Sequence, residues 1–297
     1  MAIYWGLSYG HHDAALVIMR DNEVVLRELF GSKDIDNDRL KVLEFAYPPT
    51  KIYIHENKRR DFWRKVKSGD WSRLFTRKPW LPIKPIYGNH HLSHAAAAYF
   101  TSGMSDALII VADAIGEQEC LAVYSAHGQH LYKEPLFVLK YPHSLGLFYS
   151  HHAARIGLEP NQQERVMMAM SRLGNPTDQS VLDSVEVKVP DFKTKYNLHR
   201  YPTELITDTQ RKRDIAATAQ KILQDYLMEM YWHFSNYSTN LVFTGGVAYN
   251  TNVVKMLKAI CPKLYVPTHP GDAGSAYGAI LQHTHQHITL PKNIMYE

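Results

Sequence analysis

Asn89-His90-His91-Leu92-Ser93-His94 runs directly into four alanines, Ala95 to Ala98. The alanine run favours a helix, and on a helix residues four apart share a face, so His90 and His94 can aim two imidazoles at one metal ion. His91 and His94, three apart, offer a second pairing. Metallohydrolases also use two helical histidines, but a zinc-protease reading is weakened because the spacer holds no glutamate. A histidine pair in a chain with 17 histidines can equally be structural.

Two carboxylates could join such a pair. Asp113 ends the apolar run Ile109-Ile110-Val111-Ala112 and precedes a glycine turn at Gly116-Glu117. A carboxylate there can point into a cleft and hold a cation, or it can be an ordinary turn aspartate. Asp272 stands in Pro270-Gly271-Asp272-Ala273-Gly274, between a strand and a helix. It is either a helix cap or the fourth member of a two-histidine, two-carboxylate set suited to iron, manganese or zinc. Thr244-Gly245-Gly246-Val247-Ala248-Tyr249-Asn250 reads as strand, glycine pair and helix start, where open backbone amides can take a phosphate. His12, in Gly10-His11-His12-Asp13, is a candidate general base or a capped turn residue.

The elements that must position these residues read as a repeated unit. Apolar runs at 3–9, 14–19 and 24–30 form one three-strand meander, and runs at 107–112, 120–126 and 131–139 form another. Helical stretches follow each: 40–45, 60–66 and 92–100 after the first, 145–156, 164–173 and 214–234 after the second. A strand at 240–244, a helix at 248–259, a strand at 263–267 and a helix at 273–283 predict a partly parallel sheet. The expected architecture is α/β and two-lobed, with residues 1–105 as the first lobe and 106–297 as the second. The polar stretch 175–201, taken to 205 at its widest, reads as an insertion or lid between the lobes.

Composition narrows the class. With 297 residues, 45% of them hydrophobic, the chain can bury a large core and is no disordered tail. Without a spanning apolar run or a signal-peptide pattern it is expected to be cytoplasmic. Cys120 and Cys261 cannot build a disulfide framework or a Cys-x-x-Cys metal site. The formal charge of +4 is uneven: residues 51–84 hold eleven Lys or Arg against Glu56, Asp61 and Asp70, a net +8, interleaved with Phe62, Trp63, Trp71, Phe75 and Trp80. Cations with stacking rings suit a nucleic acid strand, and a solvated basic helix anchored by tryptophan accounts for the same pattern.

Taken together, residues 6–16, 89–102, 109–117, 144–157, 164–174, 214–227, 241–257 and 264–281 resemble, in order and spacing, the O-carbamoyltransferases that act on nodulation factors, cephalosporins and aminoglycosides. The resemblance covers nearly the whole chain. It implies a duplicated actin-like, sugar-kinase-like (ASKHA) fold with a cleft between mixed sheets, related to the threonylcarbamoyl-tRNA enzymes and the hydrogenase maturation carbamoyltransferase. It further implies Fe(II) or a similar ion on His90, His94, Asp113 and Asp272, beside a carbamoyl-adenylate made from carbamoyl phosphate and ATP. Gly116, Glu117, Arg165, Gly245, Gly246, Asn250 and Gly271 are the matching candidates for the cofactor side, and His12 for catalysis. Two departures stand out. Ala114 replaces a usual glycine, and relatives add a YrdC-like, adenylate-forming domain after this one, so three expectations stay open: a separate protein partner supplies the activated donor, the sequence is shortened, or the donor route differs.

The expected reaction is carbamoyl transfer to a hydroxyl. Because of the basic segment 51–84, the acceptor expected first is a hydroxymethylpyrimidine, such as 5-hydroxymethylcytosine, in DNA or as the nucleotide. Threonylcarbamoyl transfer to tRNA, carbamoylation of a sugar or other small molecule, and a silent nucleotide-binding subunit are the alternatives. Leu145-Gly146-Leu147-Phe148-Tyr149 and Glu164-Arg165-Val166-Met167 favour the O-carbamoyltransferases among them.

Overall fold

Strands β1 (Ile3–Ser8), β2 (Ala15–Arg20) and β3 (Glu23–Leu29) form an antiparallel meander, because each alternates or runs continuously in apolar residues and the turn between the last two passes through Asp21 at φ 52°. The computed structural model describes residues 1–10, 14–31, 34–68, 78–160, 162–198 and 204–290. After α1 (Asn37–Ala46) the chain returns as β4 (Lys51–Ile54), parallel to β1. Helix α2 (Lys58–Ser68) and β5 (Ile86–Tyr87), parallel to β4, complete a sheet of order β3-β2-β1-β4-β5.

The second sheet repeats this plan. Helix α3 (His90–Ser102) leads into β6 (Asp106–Gly116), β7 (Glu119–His127), β8 (His130–Leu131) and β9 (Phe137–Lys140). Then come α4 (Leu145–Arg155), α5 (Glu164–Met170) and α6 (Gln179–Leu182), with the hairpin β10 (Val185–Lys188) and β11 (Asp191–Thr194). The chain closes with α7 (Thr209–Phe234), β12 (Leu241–Thr244), α8 (Thr251–Ile260), β13 (Leu264–Tyr265) and α9 (Asp272–Thr284). The order is β13-β12-β6-β7-β8, with β9 also on β7, and β12 and β13 are parallel to β6 as β4 and β5 are to β1. Each half is therefore a meander extended by two parallel strands.

Two helices cross between the sheets. Helix α3 packs on β6, β7 and β12, while α9 packs on β1, β2 and β4, and the two helices lie against each other. Small residues allow this: Ala95 to Ala98 of α3 and Ala276 and Ala279 of α9 are buried in one cluster with β2, β6 and β7. A Gln282 side chain on α9 donates to Ser93 Oγ at 2.6 Å and accepts from the Asn89 amide at 3.2 Å. The 185–194 hairpin is no lid between the sheets: Phe192 is fully buried, its ring centroid 5.6 Å from Phe148 and 5.3 Å from Tyr226. The Tyr226 hydroxyl donates to the Pro190 carbonyl at 2.7 Å. No helix among the described residues is long and apolar enough to cross a membrane.

Candidate active site

Asn89 caps α3 by accepting from the Leu92 amide at 2.8 Å, which sets the helix phase so that His90 and His94 stand one turn apart on the face toward β6. Their Nε2 atoms are 3.2 Å apart. Asp113 sits where the β6–β7 register breaks between Ala112 and Gly116, and so leaves the ladder. Its Oδ1 accepts from the amides of Ala114 at 2.8 Å and Gly246 at 3.3 Å, while Oδ2 lies 3.2 Å from His90 Nε2 and 3.5 Å from His94 Nε2. Asp272 is not the cap of α9, a position held by Gly271. Its Oδ1 instead lies 3.5 Å from His90 Nε2 and 3.3 Å from His94 Nε2.

The four donor atoms all lie within 4.8 Å of one another, and both histidines are 1% exposed. Bonds of about 2.1 Å to a four-coordinate ion require donor separations of roughly 3.4 Å. The five separations given above span 3.2 to 3.5 Å, so these residues fit a divalent ion in size and in donor chemistry. His91, on the adjoining face, does not join them. Burial and the neighbouring His90 push its pKa down to about 3, and its Nδ1 lies 3.8 Å from Glu119. Burial opposes a charge on His90, but hydrogen bonds to Asp113 and Glu56 outweigh it and raise its pKa well above the usual histidine range. His94 is raised likewise through Asp113 and Asp272, and burial is likewise overridden at Asp113, whose carboxyl is held far below its usual range by the two imidazoles. The cluster thus favours positive charge between its carboxylates.

Asp113 and Asp272 form one wall of a cleft of about 450 Å³, whose other walls include Arg165, Gly246, Asn250 and Gly271. Four of the seven expected cofactor residues therefore meet the expected metal ligands. The Gly246 amide is already engaged by Asp113, and the Asn250 side chain caps α8 and pairs with Gln220 at 2.9 and 3.1 Å. Gly245 lies behind the wall, its amide donating to the Pro270 carbonyl at 2.9 Å. Gly116 and Glu117 do not line the cleft. A side chain at Gly116 would overlap the His90 ring, so the glycine gives that ring its space. Glu117, 3% exposed, accepts from the Asn57 amide at 2.6 Å and lies 3.6 Å from Arg60. His12 lies outside the described residues.

The family profile described as carbamoyltransferase N-terminus matches residues 35–281. The chain belongs to that family. An uncharacterised protein of Synechocystis is 28% identical over 231 residues, 68% of this chain and 37% of that protein. The nodulation protein NolNO of Sinorhizobium fredii is 26% identical over 215 residues, 67% of this chain and 31% of the relative. The chain thus spans about a third of the length of these curated relatives. A solved activator of 2-hydroxyisocaproyl-CoA dehydratase from Clostridium difficile, with bound ADPNP, shares the fold at a TM-score of 0.52 and 14% identity, covering 95% of both chains. The duplicated actin-like, sugar-kinase-like fold implied by the resemblance is the fold present.

Two features of this family member escape its sequence pattern. Within the basic segment, Arg64 and Lys65 are 7% and 4% exposed and pair with Asp61 at 3.0 and 2.7 Å. They are packing elements of α2 and do not belong to an open cationic face. Glu56 counts in the sequence only as one acid among many bases, yet its Oε2 lies 3.4 Å from His90 Nδ1. The signal that could have found it is the strand β4, which is short and hidden at the edge of a lysine- and arginine-rich run.

Proposed function

We propose that this chain catalyses O-carbamoyl transfer from carbamoyl-adenylate to an acceptor hydroxyl. The observation that carries the reading is the convergence of the buried His90 and His94 with Asp113 and Asp272, the two carboxylates that line the 450 Å³ cleft, in a chain of the carbamoyltransferase N-terminus family. A divalent ion such as Fe(II), held by these four residues, would supply Lewis-acid polarisation of a carbamoyl or phosphoryl oxygen. The rest falls to the protein. Arg165, at the cleft wall, offers a guanidinium to the adenylate phosphate. Asp113 is fixed by two backbone amides, so its second oxygen stays on the histidine side without reorganising during reaction. In the transfer the acceptor oxygen bonds to the carbamoyl carbon, the bond from that carbon to the phosphate oxygen breaks, and AMP leaves. His12 is the proposed base that takes the hydroxyl proton.

The proposed acceptor is a hydroxymethylpyrimidine in DNA or as the nucleotide. Supporting it, α2 keeps Arg59, Arg60, Phe62 and Trp63 at the surface, with Trp63 59% exposed, as a strand-stacking surface requires. The donor is expected to come from carbamoyl phosphate and ATP through an adenylate-forming activity. The test supplies synthetic carbamoyl-adenylate and Fe(II) to the 297-residue chain, with hydroxymethylcytosine DNA and a chito-oligosaccharide in parallel. A gain of one carbamoyl mass on the DNA supports both parts. Modification of the sugar alone removes the DNA acceptor and keeps carbamoyl transfer, and no transfer to either substrate, with donor intact, refutes the reaction.

A further inference from the structure

Glu56 has no exposed surface, and its two oxygens serve different partners. Oε2 is 3.4 Å from His90 Nδ1 and 3.8 Å from His55 Nε2. Oε1 pairs with the Lys58 ammonium, which also donates to the Tyr9 carbonyl at 2.9 Å and rests 4.4 Å from the Tyr9 ring centroid. The segment is pinned on both sides. His55 donates to the Leu7 carbonyl at 3.0 Å, extending the ladder of β1, and accepts on its own carbonyl from Ser93 Oγ at 2.6 Å, on α3. Ser93 lies between His90 and His94, so the same helix turn that carries the two imidazoles is tied to the residue next to Glu56.

The two nitrogens of an imidazole are linked: a carboxylate at Nδ1 holds the proton there and leaves the Nε2 lone pair for a metal. Glu56 stands at Nδ1 of His90, and the Nε2 of the same ring faces Asp113 and Asp272. The charges agree with this. Among the groups in direct contact with His90, His94 or their carboxylates, Asp113, Asp272 and Glu56 bring three negative charges and Lys58 returns one positive. The two negative charges left over match a divalent ion bound by two neutral imidazoles.

We propose that Glu56 is a positioning residue of the metal centre, holding His90 with its proton on Nδ1, and that Lys58 is a counter-charge that limits how tightly the ion is held. The inference rests on the reading of His90, His94, Asp113 and Asp272 as metal ligands. It separates the two buried partners by sign. Removing Glu56 should weaken metal binding, whereas removing the Lys58 charge, which frees Glu56 for His90, should strengthen it.

The probe is Co(II), titrated into the whole chain against a competing chelator and followed by its visible absorption, with circular dichroism on each sample. Glu56→Gln is expected to lower Co(II) affinity about 10- to 100-fold. Lys58→Met is expected to raise it at least about threefold, since one positive charge leaves the site's surroundings. His94→Ala should abolish binding. If the wild-type chain takes up no Co(II), or His94→Ala binds it equally well, the metal reading falls and this inference with it. If His94→Ala loses the ion but Glu56→Gln stays within about threefold of wild type, the positioning role alone is overturned. A Lys58→Met protein that loses affinity as Glu56→Gln does would also overturn it, since a merely structural pair weakens from either side. Should Glu56→Gln fail to fold, the sign of the Lys58→Met change decides.

Discussion

Gly246→Ala tests whether the cleft loop and the proposed metal ligands are one structure. A Cβ at Gly246 would lie 2.8 Å from Asp113 Oδ1, where ordinary contact begins near 3.4 Å, so the carboxylate must retreat by about 0.6 Å. The backbone does not object, because Gly246 is absent from the positive-φ glycines, unlike Gly245 at φ 93°. Oδ1 is also held by the Ala114 amide at 2.8 Å, so the group cannot simply swing and must carry Oδ2 away from His90 and His94. Constellations of this kind tolerate displacements of about 0.5 Å, and a 1 Å error costs on the order of 100-fold, so a loss of roughly tenfold is expected. Calorimetry with Co(II) and with AMP on the same preparations reads both ligands. The expected result is that both affinities fall, the metal's by about tenfold. An unchanged metal affinity beside a lost AMP affinity would refute the coupling through Asp113 and leave Gly246 as a ligand contact only.

Phe192→Ala should cost about 3–5 kcal/mol in urea unfolding, because the buried ring joins the hairpin to Phe148 and Tyr226; a loss under about 1 kcal/mol would mean that the hairpin is only loosely attached. Burial, with the charges of His151 and Arg155, holds His152 well below the ordinary histidine pKa, so the folded chain leaves it neutral while the unfolded chain protonates it below about 6.5. Its contribution is complete above that pH and is lost as pH falls, with a slope of up to about 1.4 kcal/mol per pH unit. His152→Gln should flatten the stability profile between pH 6 and 5 by about that amount, and parallel profiles would count against it. Arg59→Ala with Arg60→Ala should lower affinity for DNA and its salt dependence together, while Arg64→Ala, which breaks the pair with Asp61, should act chiefly on melting temperature. Equal salt slopes in the Arg59/Arg60 variant and wild type would remove those two cations from any phosphate contact.

The histidine pair was legible because helical spacing is local, and the alanine run behind it left little doubt about the helix. Asp113 and Asp272 stand 159 positions apart, so spacing could mark each as a strand-end or helix-start acid but only the fold brings both to His90 Nε2. The first meander and strands β6 and β7 were readable from apolar runs, but the run 131–139 expected as one strand is two short ones, β8 and β9, both on β7. Strand β4 was not readable, since four residues beginning at Lys51 carry too little pattern to stand out from the basic stretch after them. With β4 went Glu56, whose place depends on a parallel pairing with β1. The burial of Arg64 and Lys65 was hidden for a related reason: their partner Asp61 is three and four residues away on α2, an arrangement equally common on open helix faces.

The crossing of α3 over α9 would give an ion held at the proposed site a mechanical part. Helix α3 grips the second sheet and α9 the first, and the four proposed ligands are shared out over α3, α9 and the end of β6. An ion there would act as a rivet through a scissor joint, and its affinity would serve as a strain gauge for the angle between the sheets. Any molecule that changes that angle must change how tightly the ion is held, and by linkage the ion must change that molecule's affinity by the same factor. Metal titrations in the presence and absence of each candidate ligand would therefore report motion of the halves without a label on either one.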